Sequence, residues 1–150
     1  MNQYSIAIFL LLSLTLTSCT TKTMYGNFVK KPTEINQQTI AADAVNKILE
    51  LYPPAKTRFV LKQPTPDVFG NTLVSQLRKQ GYALLEFHPK TSHSTTADTE
   101  AYLQLSYIVD QFIGTNMYRV TIHIGNQSIT RPYHQKNGNS IPTGYWVRKE

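Results

Sequence analysis

Leu103-Gln104-Leu105-Ser106-Tyr107-Ile108-Val109 and, beyond a Gly114-Thr115-Asn116 break, Met117-Tyr118-Arg119-Val120-Thr121-Ile122-His123-Ile124 both alternate with a period of two. Successive side chains of a strand point to opposite faces. The pattern therefore describes two half-buried strands, with Leu103, Leu105, Tyr107 and Val109 of the first and Tyr118, Val120, Ile122 and Ile124 of the second on one side. The turn residues between them make the pair an antiparallel hairpin. Gly125-Asn126 starts another turn into Gln127–Arg131, and Pro132, which has no ladder donor, is expected to end that strand or confine it to a sheet edge. Asn137-Gly138-Asn139 reads as a loop, and Gly144-Tyr145-Trp146-Val147-Arg148 as a last strand.

Upstream of this strand-rich half the period changes. Ile40/Ala41, Ala44/Val45, Ile48/Leu49 and Tyr52 recur every three to four residues, which is one face of a helix starting near Asn36 and stopped by Pro53-Pro54. Thr57–Lys62 is a short strand. A second helix is signalled by Thr65 as N-cap with Pro66 at the first helical position, carries Phe69, Leu73, Val74 and Leu77 on its buried stripe, and stops at Gly81. Tyr82–Phe87 follows as a strand, and 89–99 is a loop rich in Ser and Thr. The order predicts an α+β domain: two helices packed on one face of a small, mainly antiparallel sheet.

The N-terminal side differs in kind. Ile6–Leu12 and the Ser/Leu/Thr residues after it form an apolar run of signal-peptide length, too short to span a bilayer as a mature helix. It ends on Leu16-Thr17-Ser18-Cys19, which fits a lipobox, although residues 1–5 carry no Lys or Arg. The expected organisation is a cleaved signal peptide over 1–18, a lipidated N-terminus and tether over 19–34, and one periplasmic domain over 35–150. The competing reading is a buried apolar helix with a free core cysteine. More than one acyl chain on Cys19 makes a stable anchor. In the enterobacterial lipoproteins that this N-terminus resembles, an Asp after the cysteine favours inner-membrane retention; residue 20 is Thr, so the resemblance implies the outer membrane. Met24, Tyr25, Phe28 and Val29 interrupt an otherwise polar tether, so that segment docks either on a partner or on its own domain.

Cys19 is the only cysteine, so lipidation leaves no thiol for a disulfide, a metal or a nucleophile. The formal charge of +6 suits anionic lipid, peptidoglycan or an acidic protein, while no basic run is longer than Lys30-Lys31, too short for a nucleic-acid stripe. His88, His93, His123 and His134 have no metal-ligand spacing. There is no Gly-x-Ser-x-Gly elbow and no glycine-rich phosphate loop, so neither catalytic residue, metal nor cofactor is expected. A hydrolase would need the fold to gather His88, His123 or His134 with Glu86 or Asp110. What remains is a set of aromatic and basic residues of the kind enriched in interfaces: Phe28, Tyr133, Tyr145, Trp146 and Arg148. Trp146, the single tryptophan, equally suits a core plug.

Taken together, Tyr25-Gly26-Asn27-Phe28, Ala42-Asp43-Ala44, Tyr52-Pro53-Pro54-Ala55, Phe69-Gly70, Leu77-Arg78, Gly81-Tyr82, Tyr118-Arg119-Val120 and the ending Gly144–Glu150 resemble the TrbH-type conjugal transfer lipoproteins. That resemblance implies a non-enzymatic lipoprotein component of a conjugative type IV secretion system. It would be anchored in the outer membrane, face the periplasm and help to seat the envelope core complex. Its partners would be other core proteins of that machine, in a ring-shaped hetero-oligomer, with no direct nucleic-acid contact. The alternative is an independent envelope lipoprotein that holds peptidoglycan or another anionic polymer.

Overall fold

The computed structural model describes residues 24–31, 35–89 and 101–150. Among these residues, eight strands and two α-helices follow in the order β1 (Gly26–Asn27), α1 (Gln37–Leu51), a 3-10 turn (Pro54–Lys56), β2 (Arg58–Leu61), α2 (Val68–Lys79), β3 (Ala83–Leu85), β4 (Leu103–Gln111), β5 (Met117–Ile124), β6 (Gln127–Lys136), β7 (Asn139–Pro142) and β8 (Val147–Lys149). All the strands join one sheet in the order β3-β2-β4-β5-β6-β7, with β1 added to β4 and β8 to β6. The fold is α+β, with both helices against one sheet face.

The long strands form an antiparallel meander, with Tyr107 opposite Ile122 and Ile122 opposite Ile129. The short strands on the other side are parallel: β2 pairs with β3 and β4, and β1 pairs with β4 through Gly26–Ile108. A parallel neighbour requires a crossover connection, which α2 supplies between β2 and β3. β4 is thus flanked on one edge by β2 along its first half and β1 along its second. β6 has the same arrangement, with β8 and then β7 on its outer edge.

Ile40, Ala44, Val45 and Ile48 of α1 and Phe69, Leu73 and Leu77 of α2 face Phe59, Leu105, Tyr107, Val109, Tyr118, Val120, Ile122, Ile129 and Tyr133 of the sheet, all essentially without solvent contact. Burial of each such side chain contributes about 1.5–3 kcal/mol, which makes this layer the main source of stability. Leu103, at the start of β4, is exposed.

Several local expectations change. The last strand is Val147–Lys149 rather than Gly144–Arg148, and Asn139, read as loop, opens the strand Asn139–Pro142. The cap of α2 is Asp67, whose side chain accepts from Gly70 N at 3.1 Å, so Thr65 and Pro66 lie before the helix. The Tyr82–Phe87 strand shrinks to Ala83–Leu85. Pro132 neither ends β6 nor sits on an edge, since the strand runs on to Lys136 between β5 and β7/β8. The reason is geometric. The N and C=O of a strand residue point to the same side, and Pro132 O accepts from Thr143 N at 3.1 Å. Its nitrogen therefore faces the bend between β7 and β8, where no ladder acceptor waits. Gly81 ends α2 with φ +90°, as its place in the sequence requires.

Candidate functional site

Two polar joints and two clefts stand out among the described residues. The first joint centres on Asp67. Its carboxylate accepts from Gly70 N, from Asn27 Nδ2 at 3.0 Å and from the Tyr107 hydroxyl. The Asn27 amide also donates to Gln37 Oε1 at 2.7 Å, and that oxygen accepts from Phe69 N at 3.2 Å. β1, the first turns of both helices and β4 are thereby tied at one point. Burial, followed by the bond to Asp67, pushes the Tyr107 phenol well above its ordinary range. Of the apolar residues at 24–29, Tyr25 and Val29 pack on their own domain, while Met24 and Phe28 stay exposed. Phe28 N donates to Val109 O at 2.7 Å, Val29 is buried, and the Tyr25 ring meets His123 edge-on at 5.4 Å.

The second joint centres on Asp43 of α1, which receives both Arg131 Nη1, at 2.9 Å, and the Tyr133 hydroxyl, at 2.6 Å. Arg131 Nε donates to Gly144 O at 2.7 Å, and the guanidinium lies 6.0 Å from the Trp146 ring centre. Burial first, then Asp43, raises the Tyr133 phenol strongly, opposed by Arg131. Tyr133 is only 1 % exposed, so it is a core residue and leaves the set of surface candidates. The other C-terminal candidates stay together. Tyr145 is 90 % exposed and, with the half-buried Trp146, borders a cleft of about 200 Å³ shared with Asp43, Lys47, Glu50 and Arg131. Arg148 donates to Gln127 Oε1 at 2.7 Å, on the acceptor that also takes the Tyr52 hydroxyl. Phe28 lies elsewhere, in an open cleft of about 360 Å³ beside the β4–β5 turn.

The histidines are dispersed. His123 and His134 occupy opposite ends of the β5–β6 ladder, opposite Ser128 and Met117, while His88 follows β3 and His93 lies outside the described residues. Asp110 is paired with Arg119 and Glu86 with Arg78, so the hydrolase grouping is not assembled. Among the described residues no three of His, Cys, Asp or Glu gather as a metal site. Burial lowers the His123 pKa and keeps its ring neutral. Leu16, Thr17, Ser18 and Cys19 also lie outside the described residues. No described helix is long and apolar enough to cross a membrane.

The family described as conjugal transfer protein TrbH matches residues 22–150. The chain belongs to the TrbH family. No curated protein and no solved structure matches the chain. The short motifs that carry the resemblance prove to be joints of the TrbH domain. Asp43 is the hub under Arg131, Phe69-Gly70 packs on Tyr107, and the Tyr82 hydroxyl caps the Tyr52 carbonyl at the end of α1. The Asp67 hub was missed because Thr65-Pro66 makes an equally good start signal. No local signal separates the two, because the Asp67 hub is made by Asn27 and Tyr107, each distant in sequence.

Proposed function

We propose that this conjugal transfer component is a structural, non-catalytic lipoprotein, cut before Cys19 and held in the outer membrane by lipid on that sulfur. Its periplasmic domain seats the core complex of a conjugative type IV secretion apparatus, among ring-forming partner proteins. The family match across 22–150 carries this reading, and the Leu16-Thr17-Ser18-Cys19 lipobox just upstream of the matched region supports it. The surface around Tyr145, Trp146 and Arg148 is the proposed partner contact. It combines exposed aromatic area with basic groups, and the second joint fixes it to α1, so little ordering is needed on binding.

The test is Cys19→Ser in donor cells. Conjugation frequency should fall steeply and the outer-membrane complex should fail to assemble, with the protein still exported. Unchanged transfer and assembly would remove the anchoring role.

A further inference from the structure

We infer that one edge of the domain, made by Met24, Phe28, Phe112 and Ile113 with Lys30 and Lys31 beside them, docks on the anionic lipid surface that carries the anchor. The inference rests on acylation of Cys19, proposed above.

The apolar side chains are in places where folding does not need them. Ile113, in the turn after β4, is 95 % exposed, and Met24 is 78 % exposed. Turn positions ordinarily carry polar or small residues, because nothing buries a side chain there. Phe112 and Phe28 are both about half exposed and line the same cleft as Ile113 and the two lysines. The Arg119 guanidinium sits 5.5 Å from the Phe112 ring centre while paired with Asp110, which holds the ring at the tip. None of the described residues lining that cleft is acidic. Apolar side chains that project beside lysines are what an interfacial lipid contact uses: the former enter the boundary region, and the latter meet anionic head groups.

Chain length selects lipid as the occupant. Four residues separate Cys19 from Met24, and the five Cα–Cα steps between them span at most about 18 Å. An acylated Cys19 therefore keeps Met24 close to the bilayer. β1 runs parallel to β4, so the chain passes from Met24 directly to Phe28 beside the β4–β5 turn. The outer edge of β4, which the chain enters from Met24, thus leads to Phe28, Phe112 and Ile113 at its far end. Tyr145 lies across the sheet, beyond β6.

The test uses the full chain, exported and acylated in cells and reconstituted into vesicles of phosphatidylethanolamine and phosphatidylglycerol. Ile113→Cys and, as a control, Tyr145→Cys are labelled with an environment-sensitive maleimide dye. The unsubstituted chain is treated in parallel, because Cys19 is its only cysteine and an acylated Cys19 takes no dye. The expected result is no label on the unsubstituted chain, blue-shifted emission at 113 that head-group spin labels quench, and aqueous emission at 145. Adding Lys30→Glu, or replacing phosphatidylglycerol by phosphatidylcholine, should return the 113 dye toward water. An unlabelled parent with aqueous emission at 113 overturns docking and leaves the anchor standing. Shielding at 113 only when other transfer proteins are present gives the edge to a protein and overturns lipid docking. Equal shielding at 113 and 145 also overturns it, as does labelling of the parent, which removes the anchor as well.

Discussion

Asp67→Ala should cost about 3 kcal/mol, far more than a helix cap alone. Loss of an N-cap side chain costs about 1 kcal/mol. The remainder comes from Tyr107, whose side chain has no solvent contact and whose hydroxyl donates to Asp67. An orphaned buried hydroxyl adds about 1–3 kcal/mol. For a urea slope near 2 kcal/mol/M, about 3 kcal/mol moves the midpoint down by about 1.5 M. The assay is equilibrium unfolding in urea followed by fluorescence of Trp146, the only tryptophan, which lies outside the joint. The second arm is Asp67→Ala with Tyr107→Phe. Removing the hydroxyl removes the orphan, so the double variant should be no less stable than Asp67→Ala, with a coupling of about 1–2 kcal/mol in the cycle. A loss below about 1 kcal/mol for Asp67→Ala, or strict additivity in the double variant, would refute the joint as an energetic unit and leave Asp67 an ordinary cap.

Other outcomes follow from neighbouring features. A Cβ on Gly70 would stand 2.2 Å from the Tyr107 oxygen and 2.8 Å from Thr65 Cβ, so Gly70→Ala should destabilise by about 2–4 kcal/mol in the same urea assay. Pairing it with Tyr107→Phe should recover only part of the loss, since Thr65 remains. Arg131→Ala removes the ties from Asp43 and Gly144 to the C-terminal segment. It should cost about 2–3 kcal/mol and red-shift Trp146 emission, with far-UV circular dichroism unchanged. Tyr107 and Tyr133 keep their protons when folded beyond the point, about pH 10, at which they lose them when unfolded. Their contribution is therefore complete below pH 10 and declines as pH rises above it, and Tyr133→Phe should flatten that alkaline decline. His123 has the opposite sign of dependence. Its folded pKa lies below 6.5, so stability should fall as pH drops beneath that value, and less so in His123→Gln.

Periodicity was legible where one face of an element is buried throughout. The β4–β5 hairpin and the stripes of α1 and α2 were read because each residue's environment repeats every two or 3.6 positions. The β6 strand was cut short at Pro132, although Ile129, Arg131 and Tyr133 continue the period through it. Arg131 is accommodated between two core residues by Asp43, far away in sequence on α1. The parallel pairing of β1, β2 and β3 was not readable, because such short strands carry no register signal and their neighbour β4 follows a long connection. Tyr133 was grouped with Tyr145 and Trp146 by composition; all three lie around Asp43, and burial separates them, with Tyr133 in the core and Tyr145 exposed.

The attachment of β1 sets how the domain would bear a load. Any pull from the N-terminal side reaches the fold at Met24 and must first act on a two-residue strand held by Asn27 to Asp67 and Gln37. That clamp passes the load to β4 and to the first turns of both helices together, so a pull on the chain is spread across the sheet and the helix layer at one point.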